Sequence, residues 1–414
     1  MKESSAVLRF PSREERQGFL EEELRRKVRE WIETMVNEEL ESALGIGRYE
    51  RGQGRKGYRK GVRPRTFTTR SGAHTIAFPR AASFEPGPGG KKEWNSKLVP
   101  RYARRTGAVE EALVAAYLCG TNTRRIQAAL GPLLEGAALS KSTVSRVVAR
   151  LGEHFEAWKR RDLAAEDIAL IFLDGFHLKV RLGRKVESLP VLCALGVRSD
   201  GSKVLLALEL RTSESGAAWG SVTEDLCARG VKAPVLAVID GSKGLHEAVQ
   251  ATWPWIEVQR CTKHKLENLF THAPQRRYEE IKADYHAIVY AESEAEARRS
   301  WRRFEKKWEK SCPAVVKSLQ EGGEELLTFF KYPRSTWKSL RTTNGIERLN
   351  GEFRRRVKTQ GSLPNSEAGL KLLFGLFASG LITLRRISGH RELAAVVARK
   401  REERGLKKTL DKVA

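Results

Sequence analysis

The 414-residue sequence predicts a mixed α/β fold in which a sheet-bearing core is interrupted by an all-helical insertion and preceded by smaller helical and β regions. Three observations carry that expectation. Two short apolar runs, 168–173 and 235–239, have the length of buried strands, and each stops at an aspartate, Asp174 and Asp240. Strand-like and helix-like patterns alternate from residue 165 in the order β-β-β-α-β-α-β-α. Residues 275–335 then lose every strand signal and become charged and helical, ahead of a third conspicuous acid, Glu347.

From the N-terminus, residues 12–44 predict a helix. Phe19, Leu20, Leu24, Val28, Trp31, Ile32 and Met35 recur at helical spacing among Glu and Arg, and Gly45 and Gly47 stop it. Residues 51–79 are rich in Gly, Thr, Arg and Lys and alternate in Thr66-Phe67-Thr68-Thr69 and Thr75-Ile76-Ala77-Phe78. They predict a small β-element whose basic loops, with Arg55, Lys56 and Arg59, suit phosphates. Gly87-Pro88-Gly89-Gly90 is a linker signal. Residues 107–160 predict three short helices: the first marked by Val109, Leu113, Tyr117 and Leu118, the second at 124–130, the third starting at Ser140. The third carries the apolar stripe Val144, Val147, Val148 and Leu151. Its other face offers Lys141, Ser142, Thr143, Ser145 and Arg146. Short polar and basic side chains opening a helix behind another helix suit a helix-turn-helix reader of DNA, although a plain three-helix packing unit accounts for the same pattern.

The core strands are expected at 168–173, 188–197, 203–211, 235–239 and 256–259, with helices at 217–229 and 244–253. If the strands pair as drawn, this is a layer fold of the ribonuclease H type. Within 275–335, Trp301, Phe304 and Trp308 fall at i, i+3 and i+7 and are expected in the core of the helical insertion, with base stacking the alternative for one of them.

The chain carries 76 Lys and Arg against 51 Asp and Glu, a formal charge of +25. That balance predicts a polyanionic partner, and nucleic acid suits it best, since no run reaches the roughly 18 apolar residues of a membrane span. No apolar segment marks residues 1–16 as a secretory signal. Cys119, Cys193, Cys227, Cys261 and Cys312 are scattered and odd in number, which argues against a disulfide framework and for a reducing, cytoplasmic compartment.

A carboxylate at the C-terminal end of a strand faces the mouth of an α/β sheet. If the strands of Asp174 and Asp240 are neighbours, the two acids repel, and a divalent cation resolves the conflict. Hard oxygen ligands and a phosphate substrate favour Mg²⁺, with Mn²⁺ as substitute. Glu347 is expected on a helix with the apolar stripe Ile346, Leu349, Phe353 and Val357, beside the basic run Arg354, Arg355, Arg356 and Lys358. A capping pair, Asn344 with Glu347, explains the same local sequence without a metal. Three acids around two cations about 3.5–4 Å apart would cut and join phosphodiesters without a covalent intermediate. Cys261 and His264 make half of a zinc set, so a positioning role near the site is favoured over zinc. His177 is read either as lining the site or as an ordinary exposed histidine.

At these residues the chain resembles the Mutator-type transposases of bacterial insertion sequences. The resemblance runs through Arg55-Lys56-Gly57-Tyr58-Arg59-Lys60-Gly61, Ser140-Lys141-Ser142-Thr143-Val144-Ser145, Leu173-Asp174-Gly175-Phe176-His177 and Asp240-Gly241-Ser242-Lys243. It continues through Cys261-Thr262-Lys263-His264 and Thr343-Asn344-Gly345-Ile346-Glu347-Arg348-Leu349-Asn350. It implies a DDE-type transposase in which Asp174, Asp240 and Glu347 bind two Mg²⁺ ions. It also implies a prokaryotic, nucleoid-associated protein that recognises the element's terminal inverted repeats and target DNA as a homodimer. The acids lie 66 and 107 residues apart, the longer gap holding the helical insertion.

The expected organisation is a helical region 1–50, a basic β-element and linker 51–106, and a helix-turn-helix DNA-binding domain 107–163. The ribonuclease H-like core follows at 164–274, then the helical insertion 275–335, and then a second core part, 336–414, with the third acid and basic C-terminal helices. Two other functions fit part of the pattern. One is a transposase-derived DNA-binding protein without catalysis. The other is a ribonuclease H-like nuclease or resolvase acting on junctions without sequence preference.

Overall fold

The computed structural model describes residues 13–50, 52, 54–84, 91–110, 113, 141–358, 363 and 366–413. The chain divides into two compact units, Met1–Arg150 and Leu151–Ala414.

In the first unit, helix α1 (Arg13–Leu44) lies against a hairpin of β1 (Gly57–Thr69) and β2 (Gly72–Phe84), with the short β3 (Lys91–Glu93) on its edge. Both expected elements are present. Val36 from α1 packs with Phe67, Ile76, Phe78 and Val99, and Leu40 and Leu44 pack with Ala81. Phe19, Leu20, Leu24 and Trp31, the N-terminal half of the expected stripe, are exposed instead. The linker at 87–90 and the expected second helix at 124–130 lie outside the described residues. The third is α2 (Lys141–Lys159), longer than expected. Its far end belongs to the second unit, where buried Phe155 packs on Phe374 with ring centroids 5.4 Å apart.

The second unit is built on five strands: β4 (Ile168–Leu182), β5 (Lys185–Arg198), β6 (Lys203–Leu210), β7 (Leu236–Ile239) and β8 (Glu257–Arg260). Their spatial order is β6-β5-β4-β7-β8. The first three form an antiparallel meander, and β7 and β8 add in parallel to β4. Helices α3 (Gly216–Ala228) and α4 (Lys243–Thr252) cover one face. Trp219, Val222, Leu226, Leu245 and Val249 pack there against Ile171, Leu173, Ala237 and Ile239. Side chains alternate across a strand, so Leu170, Phe172, Asp174 and Phe176 face the other side.

The expected strand end at Asp174 is corrected. Asp174 is the seventh residue of the fifteen-residue β4. β4 pairs with β7 only through Leu170, Ile171 and Phe172, whereas its ladder with β5 continues to Leu182. The apolar run stops where the parallel neighbour stops; the strand does not. Asp240 does follow the last residue of its strand.

After β8 come α5 (Thr262–Thr271), α6 (Tyr278–Val289), α7 (Glu294–Trp308), α8 (Pro313–Gly322), short 3₁₀ turns and the one-turn α9 (Trp337–Leu340). They hold a core of their own in which Phe304 and Trp308 are buried and Trp301 packs at the margin. Helix α10 (Asn344–Lys358) returns to β4, where Phe353 meets Phe176 at 5.8 Å. Helices α11 (Ser366–Ala378) and α12 (His390–Val413) follow. Lys400 of α12 donates to Glu257 at 2.8 Å, and Arg404 reaches the carbonyls of Ala233 and Pro234. Among the described residues, no helix is long and apolar enough to cross a membrane.

Candidate active site

Asp174 is only 7 % exposed, on the β4 face that α10 covers. Burial pushes its carboxyl up to about 6, and the charges of Asp240 and Glu347 push the same way. A hydrogen bond from Asn350 Nδ2 to Asp174 Oδ2 (2.7 Å) and the charge of His264 oppose that rise. The charges of both other acids thus bear on Asp174. Asp240 is half-buried, and its Oδ1 accepts from the Ser242 N–H at 2.9 Å. That Asx-type turn runs through Gly241 at φ +91°, a conformation that favours glycine.

Glu347 stands in the first turn of α10 with both carboxylate oxygens engaged. Thr343 Oγ1 donates to Oε1 at 2.7 Å, and Lys263 Nζ donates to Oε2 at 2.6 Å. Burial works against its charge, but Lys263 and Thr343 prevail and hold the carboxyl below its ordinary value. The capping alternative is corrected. Asn344 is already helical, and Glu347 bonds side chains rather than the backbone N–H of Asn344.

Cys261 is fully buried at the N-cap of α5. Its sulphur accepts from the N–H of Thr343 at 3.4 Å and lies 3.3 Å from the Thr343 hydroxyl oxygen, whose one proton goes to Glu347. Burial raises the thiol, but His264 and Thr343 outweigh it, and the thiol ends below its ordinary value. Beside that sulphur, and despite partial burial, His264 is pushed up to about 9. One ligand atom each from Cys261, His264 and Glu347 lies within 4.8 Å of the others. The Cys261 sulphur and both Glu347 oxygens already accept hydrogen bonds, an arrangement that orients Glu347.

Residues 2–380 match the family described as "Transposase, Mutator family". The chain belongs to the Mutator family of transposases. It is 34% identical over 360 residues to the transposase for insertion sequence element IS406 of Burkholderia multivorans, covering 84% of this chain and 89% of that one. It is 33% identical over 353 residues to the ISRM5 transposase of Rhizobium meliloti, with 85% and 86% covered. The IS1081 transposase of Mycobacterium tuberculosis is 31% identical over 358 residues, with 86% and 84% covered. A Drosophila P element transposase strand transfer complex matches 67% of this chain and 93% of that chain at 10% identity; its TM-score of 0.42 is too low to carry an argument.

Within this Mutator-family chain the remaining candidates are scattered. Arg59 is tied to α1 through Asn37 (3.1 Å) and Glu41 (2.9 Å), whereas Arg55 and Lys56 are exposed. The side chains of Lys141, Ser142, Thr143, Ser145 and Arg146 lie outside the described residues. Arg354, Arg355 and Lys358 are exposed and Arg356 is half-buried; Arg355 pairs with Glu352. His177 is exposed.

Four residues around these candidate acids were missed by the sequence reading. Thr343 and Lys263 hold Glu347, and Asn350 holds Asp174. Asn350 did leave a signal, a polar residue inside the buried stripe of α10. Glu214, before α3, left none. Partial burial, then the charges of Asp240 and Asp174, raise its carboxyl.

Proposed function

We propose that this transposase is a DDE-type enzyme with a ribonuclease H-like core interrupted by the helical segment after β8, acting on the terminal inverted repeats of its element. Asp174, Asp240 and Glu347 would hold two divalent cations, Mg²⁺ with Mn²⁺ as substitute. The observation that supports this reading is geometric: β4, which bears Asp174, is the paired neighbour of β7, which Asp240 follows, and α10, which bears Glu347, is bonded to Asp174 through Asn350. The donor set fits the cations: three hard carboxylates, and beside Asp174 the fully buried Asn350 whose Oδ1 has no hydrogen-bond partner among the described residues. When bound, the cations would activate the attacking oxygen of water or of a DNA 3′-hydroxyl and stabilise the leaving one.

The protein's own residues do the positioning. Asn350 keeps one Asp174 oxygen in place. Thr343 and Lys263 hold Glu347 charged and oriented, and Cys261 in turn holds Thr343. Arg354, Arg355, Arg356 and Lys358 on α10, with Arg55 and Lys56 on the basic hairpin, would contact phosphates. Lys141, Ser142, Thr143, Ser145 and Arg146 would read bases from a helix-turn-helix domain at 107–163. The active form would be a homodimer pairing two element ends, working in the cytoplasm on the nucleoid.

The test is a cleavage and strand-transfer assay on DNA carrying the element's ends. Asp174→Asn, Asp240→Asn and Glu347→Gln should each lower Mg²⁺-dependent cleavage by about a thousandfold or more, since a metal site supplies several kcal/mol to such a transition state. DNA-end binding should persist in all three. Undiminished cleavage by Asp174→Asn would sink the assignment.

A further inference from the structure

Glu214 lies in the segment joining β6 to α3, one residue ahead of Ser215, which caps that helix. Two close approaches fix its place. A Cβ at Gly175 would stand 2.4 Å from Glu214 Oε1 and 2.8 Å from its Cδ, so the carboxylate rests on the bare Cα of the residue after Asp174. A Cβ at Gly244 would stand 2.7 Å from the Gly216 nitrogen and 2.9 Å from its Cα. The segment of Glu214 is thereby clamped to the start of α4, next to the turn of Asp240. A glycine at 175 leaves the room that the carboxylate fills.

A second observation points to a ligand beside Asp174. Asn350 is fully buried, its Nδ2 is spent on Asp174, and its Oδ1 has no hydrogen-bond partner among the described residues. Buried carbonyl oxygens ordinarily have a donor, and a hard cation supplies what this one lacks. Before DNA arrives, three carboxylates leave two divalent cations one negative charge short of balance; a fourth acid closes it.

We propose that Glu214 is a fourth carboxylate ligand of the divalent-cation site formed by Asp174, Asp240 and Glu347. The proposal rests on the reading that those three acids bind the cations. Glu214 reaches the site from the α3 side of the sheet, and Glu347 from the α10 side. Gly175 is the positioning residue that admits it.

The test is calorimetric titration of the full-length, DNA-free protein with Mn²⁺. Glu214→Gln should weaken Mn²⁺ binding by about tenfold or more, the effect of a lost ligand worth about 1.4 kcal/mol or above. Gly175→Ala should do the same by displacing the carboxylate, and the double variant should be no worse than either single one. Glu224→Gln, on the exposed face of α3, should titrate as wild type, and thermal melts should confirm that every variant is folded. Wild-type titration by Glu214→Gln, alongside lost binding in Asp174→Asn, overturns the proposal while leaving the three-acid reading intact. Wild-type titration by Asp174→Asn overturns the three-acid reading and the proposal together.

Discussion

Asp174→Asn should stabilise the metal-free protein at neutral pH, the reverse of what most buried substitutions do. In the folded chain the carboxyl titrates at about 6, against an ordinary value of 3.8. Above pH 6 the folded state must therefore hold a charge that burial opposes, whereas the unfolded state holds it freely in water. A tenfold difference in proton affinity between the two states corresponds to about 1.36 kcal/mol, so relative to a neutral isostere Asp174 costs about 3 kcal/mol at pH 7. The sign follows from proton binding: between about pH 4 and 6 the folded state binds more protons than the unfolded one, so stability falls as pH rises. The cost is nearly full above about pH 6, about 1.6 kcal/mol at pH 5, about 0.6 kcal/mol at pH 4, and absent below about pH 3. Urea unfolding of wild type and Asp174→Asn in EDTA at pH 7, 5 and 4 measures this directly. Excess Mg²⁺ at pH 7 should close the gap, because the cation stabilises only the protein that binds it. A variant less stable than wild type at pH 7, or a gain at pH 4 as large as that at pH 7, refutes the reasoning.

Asn350→Ala removes a buried bond to a charged acceptor worth about 1.5–3 kcal/mol, so cleavage should fall about ten- to a hundredfold and need more Mg²⁺. A metal titration of the cleavage rate checks both effects. Lys400→Met leaves the partly buried Glu257, which Lys400, Tyr332 and Lys331 together hold below its ordinary value against burial, with only Tyr332 and Lys331, and should cost about 1 kcal/mol at pH 7. Because that carboxyl is depressed, the stabilisation is present above its ordinary value and fades as pH falls through the lowered one. Melts of variant and wild type should thus converge in acid. Gly230→Ala should lower the melting temperature by several degrees. Gly230 has φ +95°, and a Cβ there would stand 2.8 Å from that of Ala164, a strain of about 2 kcal/mol or more.

Much of the sheet was legible because buried strands betray themselves locally. The runs at 168–173 and 235–239 became neighbours, β4 and β7, in the expected element order. The misplaced end of β4 has a physical cause. After Asp174 the strand leaves β7 and is buried only at Phe176, Leu178 and Val180, with His177, Lys179 and Arg181 exposed. The pattern changes there from continuous to alternating, and alternation is still strand. At the site, Asp240 and Glu347 could be singled out because an acid after an apolar run or ahead of a basic cluster is conspicuous. Their supports are contacts between distant segments. Lys263 reaches across 84 residues to Glu347, and Asn350 across 176 to Asp174. Glu214 is visible only once Gly175 is seen to leave room for it.

The helices after β8 form a detour whose two ends are fastened together. Thr262, where the detour departs, donates through its N–H and its hydroxyl to the carbonyl of Arg341, where it returns, at 2.9 and 3.0 Å. Between those ends Leu269, Ile281, Phe304, Trp308 and Leu319 pack among themselves. Closing a longer loop costs little once its ends are fixed. The interval between Asp240 and Glu347 can therefore lengthen at the tip of the detour for a small closure cost, so long as the bonds between Thr262 and Arg341 hold its two ends together.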